Sequence, residues 1–325
     1  MKTFLALVFV ISTSYCFACL NEHNVSKSGK ESVDAFNLAE LDFYRQQNKP
    51  KTEKYLADLL KRNPTTDTEI LWNQNSIAVC YIRLGRLQEA ETILNALLKK
   101  YPTDYSVIIN LGTLYELQGK NEKALEYINR AIAINPGSHN GSEWFHIRIL
   151  EFKLKNTGDN NIGGQDILKL GSLKENSVNV AQQIRYQLQE RIPFTPAPNL
   201  IMAKVIQEYG DYLADSISIK GAYVMYEIGM DYDRENVLKQ SERRDALKPY
   251  FKKYNEAVPV TGNYYLDNAI SAIDDNKVAI ASKLLEKGVD YFNSEVKKST
   301  RRKTKRMVGI RGDRISRFDI RDSYL

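Results

Sequence analysis

Residues 71–104 read LWNQNSIAVCYIRLGRLQEAETILNALLKKYPTD, and residues 105–138 read YSVIINLGTLYELQGKNEKALEYINRAIAINPGS. Tyr81, Gly85, Ala90 and Pro102 of the first line return as Tyr115, Gly119, Ala124 and Pro136 of the second, each 34 positions on. Four coincidences at one offset mark a supersecondary unit copied end to end, because a fixed period of this size is the imprint of a stacked repeat.

Each copy reads as a helical hairpin. Residues 106–118 carry apolar side chains at 107, 108, 111, 114, 115 and 117, which is helical spacing. Gly119 permits the left-handed turn that ends this helix. A second helix is expected over 121–134, with Ala124, Leu125, Ile128, Ala131 and Ile132 on one face. Pro136 stops it, and Asn135 before the proline is biased away from helix. Small residues at 112, 124 and 131 let the two helices approach closely. Ala78, Ala90 and Leu97 serve the first copy in the same way. Such a pair cannot bury its apolar faces alone, so further hairpins must stack on both sides.

Leu111-Gly112, Tyr115, Gly119, Ala124, Ala131 and Pro136 stand in the order of the tetratricopeptide motif, and the stretch resembles that repeat family. In the first copy Ile77-Ala78 replaces the family's Leu-Gly. Gln74 and Ile108 stand where the family usually has tryptophan. The resemblance implies an all-α protein, a right-handed superhelix of antiparallel helical hairpins whose first helices line a concave groove. It places Trp72, Asn75, Val79 and Arg83 in that groove, followed by Ser106, Ile109, Asn110, Thr113 and Glu116. The family's clamp for a peptide's terminal carboxylates is matched only at Asn110. Asn75, Val79, Asn140 and Glu143 stand at its other positions. A groove of mixed polar and apolar character suits an extended or helical segment of a protein partner instead. Trp72 has a second reading, as a side chain packed on the preceding hairpin.

Outside this stretch the pattern loosens. Residues 33–66 read as a degraded repeat with Phe36, Phe43, Leu56 and Leu59 at its packing positions, and four extra residues, 67–70, interrupt the period. Residues 144–155 form an amphipathic helix, 156–164 a loop, and 176–191 a helix with Val180, Ile184 and Leu188 on one face. Pro193, Pro196 and Pro198 make a stiff connection, and Asn199 is placed to cap the next helix. Residues 203–236 and 262–295 read as further repeat-like hairpins. A helix over 235–256 is interrupted at Pro249. The repeat domain is thus expected over 33–172 and a second set of hairpins over 173–296. Residues 162–194 and 199–214 resemble an uncharacterised family of exported bacterial repeat proteins, which implies an envelope location.

The first 18 residues read as a signal peptide: Lys2, an apolar run over 4–11 too short to span a bilayer, and Cys16-Phe17-Ala18 before a cleavage point at Cys19. Cys19 also admits the lipoprotein alternative. Residues 19–32 are polar and read as a flexible lead. A hydrophobic content of 43% is that of a folded chain. Of the formal charge of +6, the segment 297–325 supplies +8, so the remainder carries −2. Its densest run holds Arg301, Arg302, Lys303, Lys305 and Arg306. This basic tail opens an alternative function, weak contact with an anionic membrane or polysaccharide surface. Nucleic acid ranks last, because no aromatic stacking series accompanies the cations.

No nucleophile, phosphate-loop or metalloprotease motif is present, so an enzyme is not the expected reading and no cofactor is implied. His139, Glu143 and His146 have a spacing that a helical metal site would use, but Gly137 and Gly141 put His139 in a loop, and no metal is expected. Cys80 reads as a small buried hydrophobe. What remains is a scaffold for protein contact, with no partner named by the residues.

Overall fold

The computed structural model describes residues 23–33, 49–156, 162–173 and 176–259. The expected signal peptide, Phe36 and Phe43 of the expected degraded repeat, the expected 262–295 hairpin and residues 297–325 lie outside the described residues. The chain separates into two units, residues 1–256 and 257–325, and the fold below is that of the first.

The repeats take the expected form. Helix α1 (Lys49–Leu60) precedes the hairpin α2 (Asp67–Arg83) and α3 (Leu87–Lys100), and then the hairpin α4 (Tyr105–Leu117) and α5 (Asn121–Ile134). The four residues that interrupted the period are the first turn of α2. Thr66 caps this turn, its hydroxyl accepting from the Glu69 amide while the Glu69 carboxylate accepts from the Thr66 amide. Both first helices end alike. Gly85 and Gly119 each have φ of +75°, and the amides of Arg86 and Lys120 donate back to the carbonyls of Tyr81 and Tyr115 at 2.8 Å. These are the closing bonds of a left-handed C-terminal cap, made twice at the same register.

Packing follows the small residues. A Cβ on Gly112 would lie 2.5 Å from Ile128 Cδ1, so α4 and α5 touch backbone to side chain. The hairpin of α8 (Leu200–Ser216) and α9 (Ile219–Tyr232) repeats this relation: a Cβ on Gly210 would lie 2.7 Å from the ring of Tyr226. In both hairpins the glycine and its partner are 16 residues apart, so the C-terminal hairpin packs as the clear repeats do. Asn199 and Ser218 cap its two helices. Between the two sets lie α6 (Trp144–Lys155) and α7 (Ser177–Arg191), with a 3-10 turn at Ile192–Phe194. The expected 235–256 helix is two short ones, α10 (Gln240–Asp245) and α11 (Lys248–Lys253). The break falls at Ala246 and Leu247, because Pro249 is accommodated in the first turn of α11.

The lead differs from expectation. Its residues 23–33 are not a flexible strand of chain but a hairpin, β1 (His23–Val25) and β2 (Glu31–Val33), paired antiparallel. It docks on the C-terminal helices. Val25 enters their core, the Lys27 amide donates to Ala214 O at 2.8 Å, and the Tyr254 hydroxyl donates to Lys27 O at 2.9 Å. Polar composition concealed this because the hairpin is held by backbone bonds and one apolar residue.

Two large cores result. One lies within the repeats, around Leu94, Leu111, Leu114, Tyr115 and Ile128. The other joins α6 and α7 to α8, α9 and α11 through Phe145, Ile184, Leu188, Tyr209 and Phe251.

Candidate functional site: the face of α2, α4 and α6

Helices α2, α4 and α6 occupy the first-helix positions that line the groove. Helix α4 carries a single charged residue, Glu116. That residue is 4% exposed, and its carboxylate is met by three side-chain donors. Its Oε1 accepts from Lys153 Nζ at 2.6 Å and from Arg191 Nη1 at 2.7 Å, and its Oε2 from His146 Nε2 at 2.5 Å. Burial alone would raise the Glu116 pKa. The Arg191 guanidinium, His146 and Lys153 together outweigh it and hold the carboxyl well below the usual range. Lys153 and His146 come from α6, one repeat on. Arg191 comes from the end of α7, which lies across this face.

A second cluster sits at the N-terminal ends of the same helices. His139 Nδ1 lies 2.5 Å from Glu143 Oε1, to which the Tyr105 hydroxyl also donates at 3.2 Å. The Tyr186 ring of α7 stacks 5.1 Å from the His139 ring. Burial opposes ionisation of both members of the pair, yet their mutual hydrogen bond and charge prevail: Glu143 is lowered and His139 raised. Glu190, also on α7, is raised by burial, and Arg83 of α2, 4.0 Å away, only partly offsets this. Further along α7, Gln183 donates to Asn140 O and Gln187 to Ser142 Oγ, both at 2.9 Å.

The expected groove residues therefore divide. Asn75, Ile109 and Glu116 are buried. Asn75 accepts from Asn110 Nδ2 at 3.0 Å, a polar rung joining α2 to α4. Of the residues expected in the groove, Glu116 is buried against Arg191 of α7, and Arg83, partly exposed, lies 4.0 Å from Glu190 of the same helix. Val79, Ser106, Asn110 and Thr113 are half-buried, and Trp72 is 39% exposed with the Arg62 guanidinium 4.9 Å above its ring. The residues 301–306 lie outside the described part. His139 and His146 do not converge, since each is taken by a different glutamate. Among the described residues no group of three His, Cys, Asp or Glu side chains could hold a metal ion. Cys80 is buried and its thiol is pushed up to about 11.

The three donors to Glu116 were not named from sequence. The one legible signal was the single charged residue of a largely buried helix, which must find a partner there.

Against known proteins, a family model described as tetratricopeptide repeat matches residues 67–136. These residues are tetratricopeptide repeats. Two curated relatives share short stretches. One is trafficking protein particle complex subunit 12 of Mus musculus, 33% identical over 76 residues, which are 22% of this chain and 9% of that protein. The other is protein CTR9 homolog of Arabidopsis thaliana, 27% identical over 106 residues, 33% of this chain and 10% of that protein. The chain thus spans about a tenth of the curated relatives it matches. A solved tetratricopeptide repeat protein from Parabacteroides merdae is 16% identical. The match covers 77% of this chain and 90% of that one, with a TM-score of 0.29. Repeats of this kind suggest protein–protein contact.

Proposed function

We propose that this protein is an exported scaffold of a bacterial envelope that holds a segment of a protein partner on the face of α2 and α4. The observation that carries the reading is the strip Trp72, Val79, Ser106, Asn110 and Thr113, which stays partly exposed while Glu116 beyond it is buried against Arg191 of α7. Its mixed side chains suit the main chain and alternate side chains of an extended segment. The mouse relative's name makes that protein a subunit of a complex, which fits a scaffold role. Export rests on the N-terminal pattern before Cys19, and N-terminal sequencing of the purified protein should begin at that residue.

A photo-crosslinking amino acid at position 113, compared with one at Glu126 on the exposed side of α5, tests the site in native cells. A partner adduct from position 113 alone is expected. Adducts of equal yield from both positions, or from neither, would defeat it. The charge of 297–325 favours the tail as a second reading. A version ending at Val296 that loses the partner while position 113 remains silent would establish the tail as the binding surface.

A further inference from the structure

Helix α7 ends on the repeats through two unlike contacts. Arg191, 5% exposed, places Nη1 on Glu116. Three residues on, Phe194 lies against the repeat core, within a 3-10 turn packed on α2. Pro193 between them narrows the backbone choices and holds the spacing.

Neither contact is needed to complete the repeats. Glu116 already has Lys153 and His146 from the adjoining hairpin, so Arg191 is a third donor to one carboxylate. The seat is also imperfect: Arg191 Nε is buried with no hydrogen-bond partner, which makes it less costly to vacate than a fully bonded one. The opposite side of α7 is fixed in the C-terminal core through Ile184 and Leu188. Ile192, between the two contacts, lies in that same core, so displacement would turn the Arg191 and Phe194 side chains out of their seats and leave the backbone in place.

We infer that Glu116 and the apolar slot under Phe194 form a two-point docking site for a segment carrying an arginine and, three residues later, an aromatic side chain, and that this chain fills the site in cis with Arg191 and Phe194 as a displaceable latch. The inference rests on the scaffold reading and specifies its ligand. The occupant is chosen by chemistry: the buried carboxylate selects a guanidinium, and the adjoining slot selects a ring. A partner with that spacing competes with the latch, so the concave face has a closed state, seen here, and an open one.

The test uses full-length protein and a fluorescein-labelled synthetic peptide of residues 188–197, LQERIPFTPA. By anisotropy the peptide should bind the R191A/F194A double variant at least about tenfold tighter than wild type, because the cis occupant lowers the fraction of competent sites. The same peptide with alanine at its arginine and phenylalanine should bind neither. Equal binding to wild type and variant overturns the latch, and absent binding to a variant with wild-type circular dichroism overturns the site. If the double variant does not fold, R191Q with F194L takes its place under the same criteria. The outcome needs no partner. A site that takes the peptide while position 113 crosslinks nothing would keep this inference and remove the scaffold reading.

Discussion

Glu116 and Arg191 are 75 residues apart in the chain and 2.7 Å apart in the fold. The contact joins the second clear repeat to a helix outside the repeat array. It puts the end of α7 where a solenoid would otherwise present open groove. The two residues are not equivalent. Glu116 is the shared acceptor of three donors, whereas Arg191 is one donor among three.

Glu116→Ala should therefore destabilise more than Arg191→Met. The first leaves Arg191, Lys153 and His146 without their shared acceptor and should cost about 3–5 kcal/mol, the range for breaking a buried ion pair. The second leaves the carboxylate with two partners and should cost about 1–3 kcal/mol. Urea denaturation of both variants checks the order. A larger loss from the arginine change would show that Lys153 and His146 do not neutralise Glu116.

Acid should narrow the gap between Glu116→Ala and wild type. The folded carboxyl titrates well below its unfolded value, so its contribution is complete above the usual carboxylate range and disappears as pH falls through the folded pKa. Stability curves at about pH 7 and about pH 3 should show a smaller difference at the lower value. A constant difference would mean that the change acts through packing alone.

His139 has the opposite sign. Burial lowers its pKa, but the hydrogen bond and charge of Glu143 raise it further, to a net value above the ordinary imidazole range. Its contribution is therefore complete below that range and fades as pH rises through the folded pKa. His139→Gln should cost more at about pH 5 than at about pH 9, read by thermal unfolding at both.

Gly112→Ala should destabilise by about 1–3 kcal/mol, because its new methyl would meet Ile128 at 2.5 and 2.9 Å. Adding Ile128→Val removes the Cδ1 contact and should recover part of the loss. A double-mutant cycle by chemical denaturation measures this, and strict additivity would place the strain elsewhere.

Tyr254→Phe removes the hydroxyl that donates to Lys27 O across 227 residues. A loss of about 1 kcal/mol is expected, with faster amide exchange in 23–33. Unchanged exchange there would show that Val25 and the Lys27 amide hold the hairpin unaided.

The repeats were legible because their physics is local. Gly85, Gly119, Pro102 and Pro136 act on the backbone within a turn or two, and Gly112 with Ile128 needs only one hairpin to meet. Residues 203–236 were legible only as a repeat-like hairpin, and the contact of Gly210 with Tyr226 came from the structure. The β1–β2 hairpin and the coverage of Glu116 were not legible in this way. Backbone bonds from Lys27 to Ala214 leave no mark on composition, and no period links Arg191 to Glu116. The sequence by itself determined the helical units, their ends and the small residues that let them close. Only the tertiary structure decided which charges meet and which part of the groove stays open, because a buried charge takes whichever partner the packing of distant elements brings within hydrogen-bond reach.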